Sequence, residues 1–234
     1  MRVGMTSLLL VTIFCGTTFA ATPEWVEEGF TPIFDGETLD GWDGDPELWN
    51  VDDGSLHGQT KEGQLTKNQF LIWRGGEPGD FTLKLQFKME NGNSGVQIRS
   101  ESREEWGQWC MGGYQVDMDA SDTYTGGVYE ERGGRGVMPF RGKDCFCDQE
   151  GVFHSDKVFA DDAELKKVIK KGDWNDLVII AKGFDIVVTI NGVQTGHFTD
   201  LTVAQRKAKG LIGFQVHVGP PMNVWFRNIQ IREE

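Results

Sequence analysis

Three short stretches of the chain carry polar, reactive side chains at every second position. Residues 95–99 read Gly-Val-Gln-Ile-Arg, residues 114–119 read Tyr-Gln-Val-Asp-Met-Asp, and residues 214–218 read Phe-Gln-Val-His-Val. A β-strand points successive side chains to opposite faces, so residues two apart share a face. As strands, the three stretches bury Val, Ile, Met and Phe on one side. The other side offers Gln97 and Arg99, then Gln115, Asp117 and Asp119, then Gln215 and His217. Laid in one sheet, they bring two carboxylates, an imidazole and a guanidinium onto one surface. That set can take a proton, give a proton and hold a developing negative charge.

Each residue also has a structural reading. Arg99 fits a cross-strand ion pair with Asp117 or Asp119. The two aspartates also fit a structural calcium site. Glu130 follows Gly126-Gly127-Val128-Tyr129, and it alternates with Tyr129, so only one of them can face the site. Asn93-Ser94-Gly95 is good turn chemistry as well as a source of a polar contact. Trp106 and Trp109 sit in a polar stretch before the middle strand and suit stacking against a sugar ring. Trp42, Trp49, Trp174 and Trp225 lie in stretches that suit packing.

The elements that must position these groups are short strands. Residues 81–89 alternate apolar and polar side chains and read as a half-buried strand. Residues 177–181 and 186–190 flank Gly183 as a hairpin, and Asn191-Gly192 marks a second turn. Residues 210–218 and 223–232 read as two closing strands. One short helix is expected over residues 161–171, with aspartates at its start and lysines toward its end, and it reads as a surface connection. Residues 131–159 are expected to be irregular. They contain Gly133-Gly134-Arg135-Gly136, which makes them either a functional rim with Arg135 as a substrate contact or a disulfide-pinned surface loop. The sum is an all-β antiparallel sandwich or barrel.

Arg2, an apolar stretch and Thr18-Phe19-Ala20 give residues 1–20 the form of a secretory signal peptide. The expectation is an exported protein, periplasmic or extracellular, built as a single domain over residues 29–234. With 36 acidic against 23 basic residues the formal charge is −13. That argues against nucleic acid or an anionic membrane as partner and is compatible with a neutral sugar. An oxidising compartment makes one disulfide expected, joining Cys110 to Cys145 or Cys147.

The order of motifs resembles a known family. Phe34-Asp35-Gly36 through Gly41-Trp42 comes first, then Trp49-Asn50-Val51 and Asp53-Gly54-Ser55-Leu56. Asn93-Ser94-Gly95-Val96-Gln97-Ile98-Arg99, Gly113-Tyr114-Gln115 and Gly126-Gly127-Val128-Tyr129-Glu130 follow. Trp174-Asn175 and Asn191-Gly192 precede the closing Gly213-Phe214-Gln215-Val216-His217 and Phe226-Arg227-Asn228-Ile229. Together they are similar to the 3-keto-disaccharide hydrolases, from about Gly29 to the C-terminus. Many relatives have a Glu where this chain has Gly113.

The resemblance implies a concanavalin A-like jelly roll with a ligand site on its concave sheet. It implies cleavage of 3-keto-glycosides by proton abstraction at C2, elimination of the aglycone, then hydration. In that scheme Asp117 or Asp119 is the base, Arg99 steadies the enolate, and His217 or Glu130 protonates the leaving group. Gln97, Gln115, Gln215, Asn93, Tyr129, Trp106, Trp109 and Arg135 are the substrate-binding candidates. A divalent metal (Ca, Mg or Mn) on Asp117, Asp119 and His217 could replace Arg99 as electrophile. A dehydrogenase acting at C3 of glycosides would stand upstream. Two alternatives compete: a non-catalytic carbohydrate-binding module and a classical jelly-roll glycosidase. The latter is disfavoured, because Gln115 stands where its nucleophilic carboxylate would be.

Overall fold

The computed structural model describes residues 23–137 and 141–234. The signal peptide expected over residues 1–20 lies outside the described residues. The strands in chain order are β1 (Thr31–Pro32), β2 (Trp42–Asp43), β3 (Trp49–Asp52), β4 (Ser55–Thr60), β5 (Gln69–Trp73), β6 (Phe81–Glu90) and β7 (Asn93–Ser102). Then come β8 (Met111–Asp119), β9 (Val128–Glu131), β10 (Gly136–Val137), β11 (Lys143–Cys147) and β12 (Phe153–Val158). The helix α1 (Asp162–Val168) precedes β13 (Asn175–Lys182), β14 (Asp185–Ile190), β15 (Val193–Asp200), β16 (Leu211–Val216) and β17 (Met222–Glu233).

They form two sheets. One has ten strands, with β1 beside β17 and the others in the order β12-β11-β15-β14-β13-β6-β17-β4-β3. The other has seven, in the order β10-β9-β8-β7-β16-β5-β2, so among the described residues its two edges are two-residue strands. Every pairing is antiparallel except that of β11 with β15. The sandwich forms because both sheets are apolar on their facing sides. Val96, Ile98, Tyr114, Val116, Met118, Ile212, Phe214 and Val216 from the seven-stranded sheet meet Leu83, Leu85, Phe87, Ile179, Val188 and Phe226 from the other. Phe214 stacks on Phe226 across the core at 4.2 Å between ring centroids. Burial of each such side chain contributes roughly 1.5–3 kcal/mol.

The expected helix is shorter at its end than its lysines suggested. Asp161 caps its start, accepting from the N–H groups of Ala163 and Glu164, and Ile169 closes it. The stretch expected to be irregular contains β10, β11 and β12. The β11 strand carries Cys145 and Cys147 into the core of the ten-stranded sheet, whereas Cys110 is buried just before β8 of the other sheet. All three are free thiols, so the expected disulfide does not form. Alternation puts both cysteines of β11 on one inward face, away from Cys110.

Candidate functional site

The outward face of the seven-stranded sheet is polar at its centre. In register, Gly95 lies opposite Asp117, Gln97 opposite Gln115, and Gln115 opposite Tyr129. Three glutamines from three strands join there. Gln97 Nε2 and Gln215 Nε2 both donate to Gln115 Oε1, at 3.0 and 2.9 Å. With its carbonyl held from both sides, Gln115 turns its own amide toward Asp117 and donates to Oδ1 at 2.8 Å. Gln97 and Gln215 are fully buried. They therefore position Gln115 rather than meet a ligand. Gly95 makes the arrangement possible, since a Cβ there would sit 2.4 Å from Gln115 Cγ and 2.5 Å from Cδ.

Asp117 is the centre of the site. Burial pushes its carboxyl up, the Gln115 amide works against that, and the charges of Asp119 and Glu131 add to the rise, giving a pKa of about 7. Asp117 also opens onto a cavity. Asn93, Gln115, Tyr124, Tyr129, Glu131 and His217 line a cavity of about 230 Å³ with it. A carboxyl that titrates near neutrality in a cleft has the properties of a general base.

Two further groups complete the cavity. His217 follows β16, and its Nδ1 donates to the Val218 carbonyl at 2.5 Å. That carbonyl can only accept, so Nδ1 keeps its hydrogen and Nε2 is the atom that gains and loses a proton. Glu131 lies opposite Gly113. Burial raises its pKa, against the charge of Arg132 and a side-chain hydrogen bond from Asn68. Asn68 also accepts from the Val218 N–H at 3.0 Å, which ties the carboxylate to the His217 loop. Glu131 was not among the expected residues. It could have been read from the sequence, because it is two residues beyond Tyr129 on one strand. Tyr124 was missed because it lies in the loop after β8, where no periodicity guides the eye.

Several expectations are corrected. Arg99 does not face the site. Arg99 and Ser100 together oppose Gly113 in a β-bulge, and Arg99 takes φ +45°. The bulge swings its side chain to the Gly79 carbonyl (2.9 Å), the Gly183 carbonyl (2.8 Å) and Asp80 (2.9 Å). Gly79 and Asp80 precede β6 and Gly183 joins β13 to β14, so Arg99 bolts the two sheets together. Asp119 is a loop clamp. Its oxygens accept from the Thr123, Tyr124 and Thr125 N–H groups at 2.8–3.1 Å and from the Ser121 hydroxyl. Burial works to raise its pKa, but those hydrogen bonds prevail and hold it below the ordinary value.

Glu130 points away from Tyr129 and forms a buried ion pair with Arg135 at 2.5 Å. Arg135 also bonds Asp200 at 2.8 Å, so neither is available to a ligand. Trp109 donates to Asp43 at 2.7 Å and lines a separate cleft with Arg74. Trp106 is exposed, but the Arg132 guanidinium already lies 4.4 Å over its ring. Among the described residues no three His, Cys, Asp or Glu side chains converge to hold a metal, so Asp117, Asp119 and His217 do not form the expected metal set. Asn93, Gln115, Asp117, Tyr129 and His217 are the expected residues that the cavity brings together.

A family model for the 3-keto-alpha-glucoside-1,2-lyase-like domain matches residues 29–232. The chain belongs to that family. This 3-keto-alpha-glucoside-1,2-lyase-like domain has no match among curated proteins. Its fold is similar to that of a candidate glycosyl hydrolase from Parabacteroides distasonis, at 24% identity and TM-score 0.56, covering 88% of this chain and 99% of that one. It is also similar to the carbohydrate-binding module CBM66 from Bacillus subtilis, at 15% identity and TM-score 0.55, covering 82% and 96%. A Bacillus subtilis protein of galectin-like fold matches at 13% identity and TM-score 0.54, covering 83% and 90%. The domain is thus an all-β concanavalin-like jelly roll of a carbohydrate-related family.

The glutamine ladder yields a prediction. Gly95→Ala should push Gln115 off Asp117 and leave the carboxylate without its donor. Turnover should fall by about tenfold or more, and the apparent pKa of kcat/KM should move upward, since a hydrogen bond to the charged form lowers a carboxyl pKa. A pH–rate profile checks this, and an unmoved profile would remove the ladder from the chemistry.

Proposed function

We propose that this domain cleaves 3-keto-glycosides by elimination across C2 and C1, followed by hydration. The observation that supports this most is Asp117, a buried carboxyl with a pKa of about 7 that lines the cavity. A ketone at C3 acidifies the C2 hydrogen. Asp117 takes that proton, and the C2–H electron pair forms the C2=C3 enolate. The Tyr129 hydroxyl and the Asn93 amide are the donors in the cavity for the enolate oxygen. Burial pushes the tyrosine pKa up, so it stays protonated and can donate. The enolate then collapses to restore the C3 ketone and a C1=C2 double bond. The C1–O bond breaks, and protonated His217 gives its Nε2 proton to the departing oxygen.

Hydration runs these roles backward. His217 Nε2 takes a proton from water as the oxygen adds to C1, and Asp117 returns its proton to C2. No nicotinamide is called for, because the ketone arrives formed; an oxidation at C3 of a glycoside must supply it. The signal peptide expected over residues 1–20 supports export as the setting.

The purified protein should release the aglycone from an aryl 3-keto-glucoside and not from the parent glucoside. In deuterium oxide the Asp117 carboxyl exchanges its proton with solvent before hydration, and the sugar product should then carry deuterium at C2. Equal release from both substrates would establish a classical glycosidase. Binding without release would establish a carbohydrate-binding module.

A further inference from the structure

A second, larger cavity of about 710 Å³ adjoins the first. The two share three lining residues, Asn93, Tyr124 and His217. Those three form a waist between a small polar chamber and a large one. The small chamber holds Asp117 and Glu131 and has room for one sugar ring and little more. The large one differs in chemistry. Its walls include Ala120, Tyr124, Val218, Pro220 and Pro221, all at least partly exposed. The carboxylate on its wall, Asp119, is already taken by the loop that it clamps.

Resting on the elimination mechanism above, we infer that the large cavity is the leaving-group site and that it selects bulky, apolar, planar aglycones over a second sugar. The small chamber takes the keto-sugar, and the scissile C1–O bond lies at the waist, where His217 Nε2 can reach the leaving oxygen. Proline and tyrosine faces present flat apolar surface to an aromatic ring. A second sugar would need several hydrogen-bonding hooks. Beyond the waist residues Asn93, Tyr124 and His217, the polar side chains of the large chamber are Asn91, Asp119 and Ser121, and the last two already bond each other.

The test is a substrate series of 3-keto-glucosides bearing methyl, 4-nitrophenyl, 4-methylumbelliferyl or glucosyl aglycones. The aryl members should exceed both the methyl and the glucosyl member in kcat/KM by tenfold or more after correction for leaving-group acidity. Ala120→Phe, which fills the large cavity, should lower the ratio of aryl to methyl by a similar factor. Free 4-methylumbelliferone, titrated by its fluorescence, tests the cavity without turnover; wild type should bind it, and Ala120→Phe should bind it at least tenfold more weakly. Equal kcat/KM across the series, or a glucosyl aglycone preferred to the aryl ones, overturns the inference while leaving the elimination intact. If no 3-keto-glucoside is cleaved, the mechanism fails and the titration alone decides the cavity: absence of binding overturns it.

Discussion

Asp117→Asn should remove turnover and, above neutrality, make the protein harder to melt. The two effects share one cause. In the folded protein burial first, then neighbouring carboxylates, raise the Asp117 pKa from 3.8 to about 7. A raised pKa means that the folded state favours the protonated form. Its contribution to stability is fully present below pH 3.8 and is lost as pH rises through about 7. At pH 8.5 the ionised carboxylate therefore costs on the order of 2–4 kcal/mol, since each tenfold change in proton affinity is worth roughly 1.4 kcal/mol. An asparagine keeps an oxygen for the Gln115 amide and has no charge to bury. The variant should melt roughly 5–10 °C above wild type at pH 8.5, and the gap should narrow at pH 5 and close only below pH 3.8. Its kcat should fall by about 10²–10⁴, the usual share of a general base. Wild-type kcat/KM should rise with pH through about 7, because the base acts deprotonated. Melting curves and turnover at both pH values check this. A variant with near-normal turnover would remove Asp117 as the base, and an unchanged melting gap would show that its burial costs nothing.

Arg99→Ala should do the opposite, destabilising the fold while sparing the chemistry. It leaves the Gly79 and Gly183 carbonyls without donors and Asp80 without its guanidinium. Breaking such a buried set costs about 3–5 kcal/mol. In a chain of this size that is a fall of about 10 °C or more in Tm. Arg99→Lys should recover only part of it, since one ammonium cannot span three acceptors held by two loops. Folded Arg99→Ala, assayed well below its Tm, should turn over at the wild-type rate. A large loss of kcat with an unchanged Tm would return Arg99 to the site.

The contrast between these two residues shows where sequence reading succeeds. Period-two alternation placed Gln115 and Asp117 on one face, because β8 continues without interruption to Asp119. The same rule failed two residues after Gln97, because a bulge adds a residue opposite Gly113 and reverses the direction of Arg99. Nothing in the local sequence announces a bulge. The glycine opposite it is the nearest sign: a Cβ at Gly113 would lie 2.4 Å from Ser100 Oγ. Asp119 failed for a different reason. It is on the expected face, but the loop that follows folds back and uses its oxygens, and that fold depends on Arg141 from beyond β10 bonding the Thr125 carbonyl at 3.1 Å. Glu130 and Arg135 were read as an acid and a substrate contact; their burial as an ion pair was not legible, since Asp200 arrives from a distant strand. Motif order conveyed the jelly roll because turns and apolar alternation are local. The waist of the site depends on loops that only the packed sandwich brings together, since Tyr124 and His217 both lie outside the strands.

Among the described residues, the sheet that carries the site ends on each side in a strand of two residues, β2 and β10. An unpaired strand edge is a template on which another chain can grow its own strand, and the gain scales with the number of free N–H and C=O groups in line. Two residues supply too few for an intruding strand to register. The polar face can therefore stay open to solvent without inviting edge-to-edge aggregation, and the net charge of −13 keeps neighbouring copies apart as well.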